Sequence, residues 1–235
     1  MEKNISRKIM LTTVIIMLIF STSIPATAAN KNRLIIVGDS RTYNMCQWVS
    51  ATNQTVFIAK NGQGYLWFEE EAVNKVTKLV KAGDSIVIWL GVNDYFQNMK
   101  GQDSWKVYAE KINNLSENEW SGCKIYVASV GYVDRNRMLD YYGKVTRTNI
   151  TRLDRNRKMK GIKEFNESLC KNLSKNITWL DTYEVIGIDH SDSNYIPEDI
   201  WATRTNGQKD GLHYGQAKTK QVYDFFIEST IGKAN

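Results

Sequence analysis

The sequence predicts a three-layer α/β/α domain on a central, mainly parallel five-stranded sheet. Strand-like apolar runs alternate with segments of helical period, each of the first three runs ends in a glycine or polar turn, and two prolines in 235 residues leave no linker to divide the chain. Such alternation implies right-handed crossovers, which lay the strands parallel and cover both faces of the sheet with helices.

The elements follow in chain order. Residues 1–28 have a basic start (Lys3, Arg7, Lys8), an apolar core from about Ile9 to Phe20, and Ala26-Thr27-Ala28. That layout predicts a secretory signal peptide cleaved near Ala28. Its core is shorter than the roughly 20 residues of a spanning helix. Residues 29–235 then form a single domain, expected outside the cell and in some association with its surface. Strands are expected at 34–37, 56–59, 85–90, 124–130 and 177–180. Helices are expected after Ser40 and at 67–80, 105–115, 159–173 and 216–231. Cys46, Cys123 and Cys170 are few, odd in number and scattered, so they read as small core residues with at most one bridge. Without a Cys-x-x-Cys pair no zinc site is expected, and no cofactor is called for.

In a parallel sheet ligands bind beyond the carboxyl ends of the strands. The residues there are Gly38-Asp39-Ser40 after the first strand, Asn61-Gly62-Gln63-Gly64 after the second, and Gly91-Val92-Asn93-Asp94 after the third. Asp210-Gly211-Leu212-His213 precedes the last helix and reads as a turn leading into it. A serine hydroxyl needs a base to become a nucleophile, and the base works best when a carboxylate fixes its tautomer. Asp210 and His213 have the right types and spacing to serve Ser40. The other histidine, His190, sits in the polar stretch IDHSDSN and has no evident nucleophile to serve. Oxyanion donors are available from the backbone N–H of Ser40 at its helix start, from Gly64, and from the Asn93 amide. Gly62 is the alternative to Gly64.

These four blocks, GDS, the glycine turn, GVND and DGLH, resemble those of the SGNH hydrolases, also called GDSL esterases. The resemblance runs from about Arg33 to the C-terminal helix. It implies Ser40 as nucleophile, Asp210 and His213 as its triad partners, and Gly64 and Asn93 with Ser40 as the oxyanion hole. One departure stands out: Arg41-Thr42 replaces the usual Leu after the serine. A cation in the first turn faces the positive end of the helix dipole. Arg41 is therefore expected to pair with Asp39 or Asp94, or to meet an anionic group on the substrate. Asp39 is expected to tie down its turn, and Asp94 to cap the loop after it or to pair with Arg41.

Competing motifs fail. VASVG at 127–131 lacks the first glycine of a Gly-x-Ser-x-Gly elbow, so Ser129 reads as a strand residue. Neither a dinucleotide fingerprint nor a phosphate-binding loop is present. Residues 135–163 carry ten Lys or Arg against two Asp, a net +8 in a chain of net +6. They read as a solvated face or as a contact for an anionic polymer or membrane surface; nucleic acid is not an expected partner. Tyr65, Tyr95 and Trp201, with Phe96 and Tyr195 near them, are candidates to line a sugar or acyl site, while Trp89 belongs to the core. The expected activity is cofactor-free hydrolysis of carboxylic esters, most simply of small acyl groups on a glycan. Lipase or thioesterase action on longer chains, acyl transfer, and non-catalytic carbohydrate binding are the alternatives.

Overall fold

A computed structural model of the chain describes residues 32–52, 54–95, 98–134, 137–138, 140–141, 152–186 and 200–232, with side chains in the long helix after 151 described from 161 onward. The expected signal peptide, His190 and Tyr195, Phe96 and part of the basic segment lie outside the described residues.

Five parallel strands form the central sheet: β1 (Leu34–Gly38), β2 (Thr55–Ala59), β3 (Ser85–Trp89), β6 (Lys124–Ala128) and β7 (Ile177–Leu180), in the order β2-β1-β3-β6-β7. Two short antiparallel pairs flank it: β4 (Asn98–Met99) with β5 (Gln102–Asp103), and β8 (Trp201–Thr203) with β9 (Lys209–Tyr214). The helices are α1 (Ser40–Trp48), α2, α3 (Ser104–Glu117), α4 (Arg152–Asn172), α5 (Thr182–Ile186) and α6 (Gln216–Thr230). α2 is composite: Tyr65–Trp67, a π-helical stretch Phe68–Ala72, and Val73–Leu79.

Successive side chains of a strand point to opposite faces, and the core divides accordingly. Ile35, Val37, Ile86, Ile88, Ile125 and Val127 pack with residues of α2, α3 and α4. Leu34, Ile36, Val87, Trp89, Tyr126 and Ala128 pack with α1, α5, α6 and the β8–β9 pair. Both faces are covered, so β1 and β3 are buried along their whole length. That is why they read as unbroken apolar runs and not as alternating ones.

Two expectations are corrected. Asp210 to His213 lie on strand β9, which pairs with β8, and not on a turn; the turn to α6 comes at Gly215. The cysteines are not core residues: Cys46 and Cys170 are exposed and Cys123 is half-buried, and none is bridged among the described residues. On α1 it is Met45 that points inward, and one residue further along a helix turns the side chain by about 100°.

Candidate active site

β2 and β3 lie on opposite sides of β1, so the chain reverses its direction of winding at β1. This is the switch point at which a doubly wound sheet opens a crevice. Ser40 stands at it, half-buried, as the first residue of α1. Asp39 caps the helix: its Oδ1 accepts the Arg41 N–H at 2.9 Å. This is the turn-fixing role expected of it. Burial pushes the Asp39 carboxyl up to about 6, against the charge and backbone N–H of Arg41.

The Ser40 Oγ lies 2.8 Å from His213 Nε2, and His213 Nδ1 lies 2.7 Å from Asp210 Oδ2. Ser40, His213 and Asp210 therefore form one hydrogen-bonded line, although 173 positions separate its first two members. Asp210 is fully buried. Its Oδ1 accepts the backbone N–H groups of Leu212 and His213, each at 2.9 Å. Burial opposes ionisation of Asp210, but the His213 hydrogen bond, the charge that the ring carries once protonated at low pH, and these two N–H groups outweigh it, and the carboxyl falls to about 2. A line of this geometry can pass a proton from the hydroxyl to Nε2 while the carboxylate steadies the ring.

Two neighbouring turns complete the crevice. The Asn93 Nδ2 donates to Gln63 O at 2.7 Å, which fastens the turn after β3 to the turn after β2 beside Gly64. Asp94 neither caps its own loop nor pairs with Arg41. Its Oδ2 accepts the Tyr65 N–H at 2.9 Å and the Tyr108 hydroxyl at 2.8 Å, so it caps α2 from across the sheet. Gly64 has to be glycine for that contact, since a Cβ there would stand 2.0 Å from Asp94 Oδ2. Gly62, at φ +68°, faces open space.

Arg41, Tyr65, Tyr95 and Trp201, the expected substrate contacts, are all buried. Tyr65 packs edge-on against Tyr108 and donates its hydroxyl to Glu69, and Trp201 packs on Tyr132 and Tyr214. Among the described residues the Arg41 side chain forms no ion pair with a carboxylate, although its charge acts on Asp39. It donates from Nε to Leu212 O at 3.0 Å, from Nη1 to Gly131 O at 3.0 Å and from Nη2 to Tyr132 O at 2.7 Å, above the ring of Tyr214. Ser129 lies just past β6, buried against Thr182, and is no exposed nucleophile.

One residue of the site escaped the sequence reading. Arg204, in the β8–β9 turn, donates from Nε to Asp210 Oδ2 at 2.7 Å and stands with Nη2 2.6 Å from His213 Nδ1. The signal was Asn206-Gly207, a hairpin dipeptide, which folds Arg204 back beside Asp210.

No protein-family model and no curated protein matches the sequence. Solved structures do. The fold is shared with a candidate acylhydrolase from Bacteroides fragilis (TM-score 0.61, 16% identity, covering 86% of this chain and 88% of that one). It is also shared with a GDSL-like lipase from Bacteroides thetaiotaomicron (TM-score 0.58, 16% identity, 86% and 88%). The acetyl xylan esterase AlAXEase matches at TM-score 0.50 and 16% identity, over 84% and 98%. The chain thus has the fold of the GDSL-type, or SGNH, hydrolases.

Proposed function

We propose that the protein is a serine esterase that removes small acyl groups from a glycan outside the cell. The hydrogen-bonded line Ser40–His213–Asp210 at the switch point carries the reading. His213 Nε2 takes the hydroxyl proton as the Ser40 Oγ attacks the ester carbonyl. The N–H groups of Ser40 and Gly64 and the Asn93 amide receive the oxyanion, each worth about 3 kcal/mol of barrier by the usual magnitude. His213 then protonates the departing alkoxide, and water repeats the sequence on the acyl-enzyme.

Small acyl groups are favoured because the turns around the site mix Tyr, Asn and Gln and hold no continuous run of Leu, Ile and Val. A sugar alcohol is supported by the fold shared with an acetyl xylan esterase, and export by the signal layout of residues 1–28. The basic stretch 135–163 is proposed to face an anionic polymer or membrane surface.

The test is a series of p-nitrophenyl esters of rising chain length, followed by acetate release from acetylated glycans. A long acyl pocket would return roughly 0.8 kcal/mol per buried methylene, so kcat/KM would climb with length. Activity is expected to peak at acetyl to butyryl, with a fluorophosphonate labelling Ser40 alone and Ser40→Ala losing at least about a thousandfold in kcat. Best activity on octanoyl or longer esters would replace this reading with a lipase or thioesterase, and labelling at Ser129 would overturn the site.

A further inference from the structure

We infer that Arg204 is a positioning residue of the triad: its guanidinium holds the Asp210 oxygen that faces His213, and so fixes the orientation of the base. This rests on the esterase reading of the same site. Asp210 has four acceptor directions, and each is used. Oδ1 takes the N–H groups of Leu212 and His213. Oδ2 takes His213 Nδ1 and Arg204 Nε, both at 2.7 Å, with Arg204 Nη2 also in contact.

The charge balance explains why a cation belongs there. Asp210 is fully buried, and a buried carboxylate needs a charged partner. A histidine that is to accept a proton must first be neutral, so before reaction it supplies hydrogen bonding but no charge. Among the described residues near the pair, Arg41 is engaged by three backbone carbonyls, Arg137 is paired with Asp134, and Asp39 is an acid. Arg204 supplies the permanent charge. Arg204 Nε and His213 Nδ1 converge on the one oxygen Oδ2, so the carboxylate cannot turn from the ring without leaving both.

The backbone holds Arg204 ready for this. Its N–H donates to Gln208 O and its carbonyl accepts from Gly207, both at 2.8 Å, which closes the β8–β9 turn. The guanidinium carbon lies 5.6 Å from the centre of the Tyr141 ring. A planar fork can bridge such a corner, whereas lysine offers a point charge.

The experiment places Arg204→Met and Arg204→Lys in the full chain, alone and with Asp210→Asn. It measures kcat and KM on p-nitrophenyl acetate, melting temperature, and nitrogen-15 spectra of the two histidines. Arg204→Met is expected to lower kcat by about tenfold or more, the size of one charge-assisted hydrogen bond, with KM unchanged. In the Asp210→Asn background it should cost nothing further, and Arg204→Lys should recover part of the loss. The His213 Nδ1 proton signal should shift or weaken in Arg204→Met. A kcat loss that multiplies with that of Asp210→Asn, a loss confined to KM, or melting temperature falling with kcat intact would overturn the inference. Should Arg204→Met not fold, Arg204→Lys runs through the same cycle with the same criteria. An inactive wild-type protein would overturn the esterase reading, and the proton signal would then decide the role of Arg204.

Discussion

Arg41 stands where local preference opposes it. A cation in the first turn of a helix costs a few tenths of a kcal/mol to about 1, yet this one is held by three backbone carbonyls and the face of Tyr214. Hydrogen bonds to a charged group contribute about 1.5–3 kcal/mol each, so tertiary bonding outweighs the dipole. The bond to Leu212 O is the informative one, since Leu212 precedes His213 and Arg41 follows Ser40. The guanidinium therefore joins the backbone of the base to that of the nucleophile. Arg41→Leu leaves the three carbonyls short of a donor and should destabilise the protein by at least about 3 kcal/mol, read as a lower urea midpoint. Turnover of neutral and anionic esters should fall alike. Loss confined to anionic esters, with stability intact, would return Arg41 to substrate recognition.

At the scale of elements, the turn from β2 into α2 works as a unit with Asp94. The helix begins where Asp94, arriving from the end of β3 beyond β1, accepts the Tyr65 N–H, and Gly64 leaves the space for it. Asp94 cannot swing aside freely, because it is buried and Tyr108 holds the same oxygen. Gly64→Ala should therefore cost about 1–3 kcal/mol by overpacking and lower kcat, since the helix start and its N–H must move. Gly62→Ala meets no atom within 4 Å but must keep φ +68°. It should cost about 1–2 kcal/mol of backbone strain and leave kcat nearly intact. Melting temperatures and kcat of the two variants check this; the opposite ranking in kcat would make Gly62 the oxyanion glycine.

For the whole molecule, two carboxyls of the site pull the pH dependence of stability in opposite directions. Asp210, lowered from 3.8 to about 2, binds protons more weakly folded than unfolded. Its contribution is fully present above the unfolded value and is lost as pH falls towards the folded one. Asp39, raised from 3.8 to about 6, binds protons more tightly folded than unfolded. Its ionisation therefore costs stability as pH rises through that window, and the full cost remains above it. Asparagine can still cap α1, so Asp39→Asn isolates the second effect. Between pH 7 and pH 4, wild type should gain about 2 kcal/mol relative to Asp39→Asn, measured by urea unfolding at both values. An unchanged difference would show that Asp39 does not titrate in this range.

Whatever depends on near neighbours along the chain could be read from the order of residues. Buried parallel strands are continuous apolar runs, and each passes directly into its turn, so Ser40, Gly64 and Asn93 could be placed at strand ends from order alone. Asp210 and His213 lie three positions apart, and their partnership was equally legible; that they ride on a strand was not, because β9 exists only by pairing with β8. Tertiary structure decided what long-range packing controls. Tyr65, Tyr95 and Trp201 looked available because they neighbour catalytic turns, but the chain folds over them and buries them. Arg41 found its acceptors 90, 91 and 171 positions away, and Arg204 reached the triad by the fold of a hairpin. Carbonyl acceptors look the same in every sequence, so only their convergence in space identifies the cation that they hold.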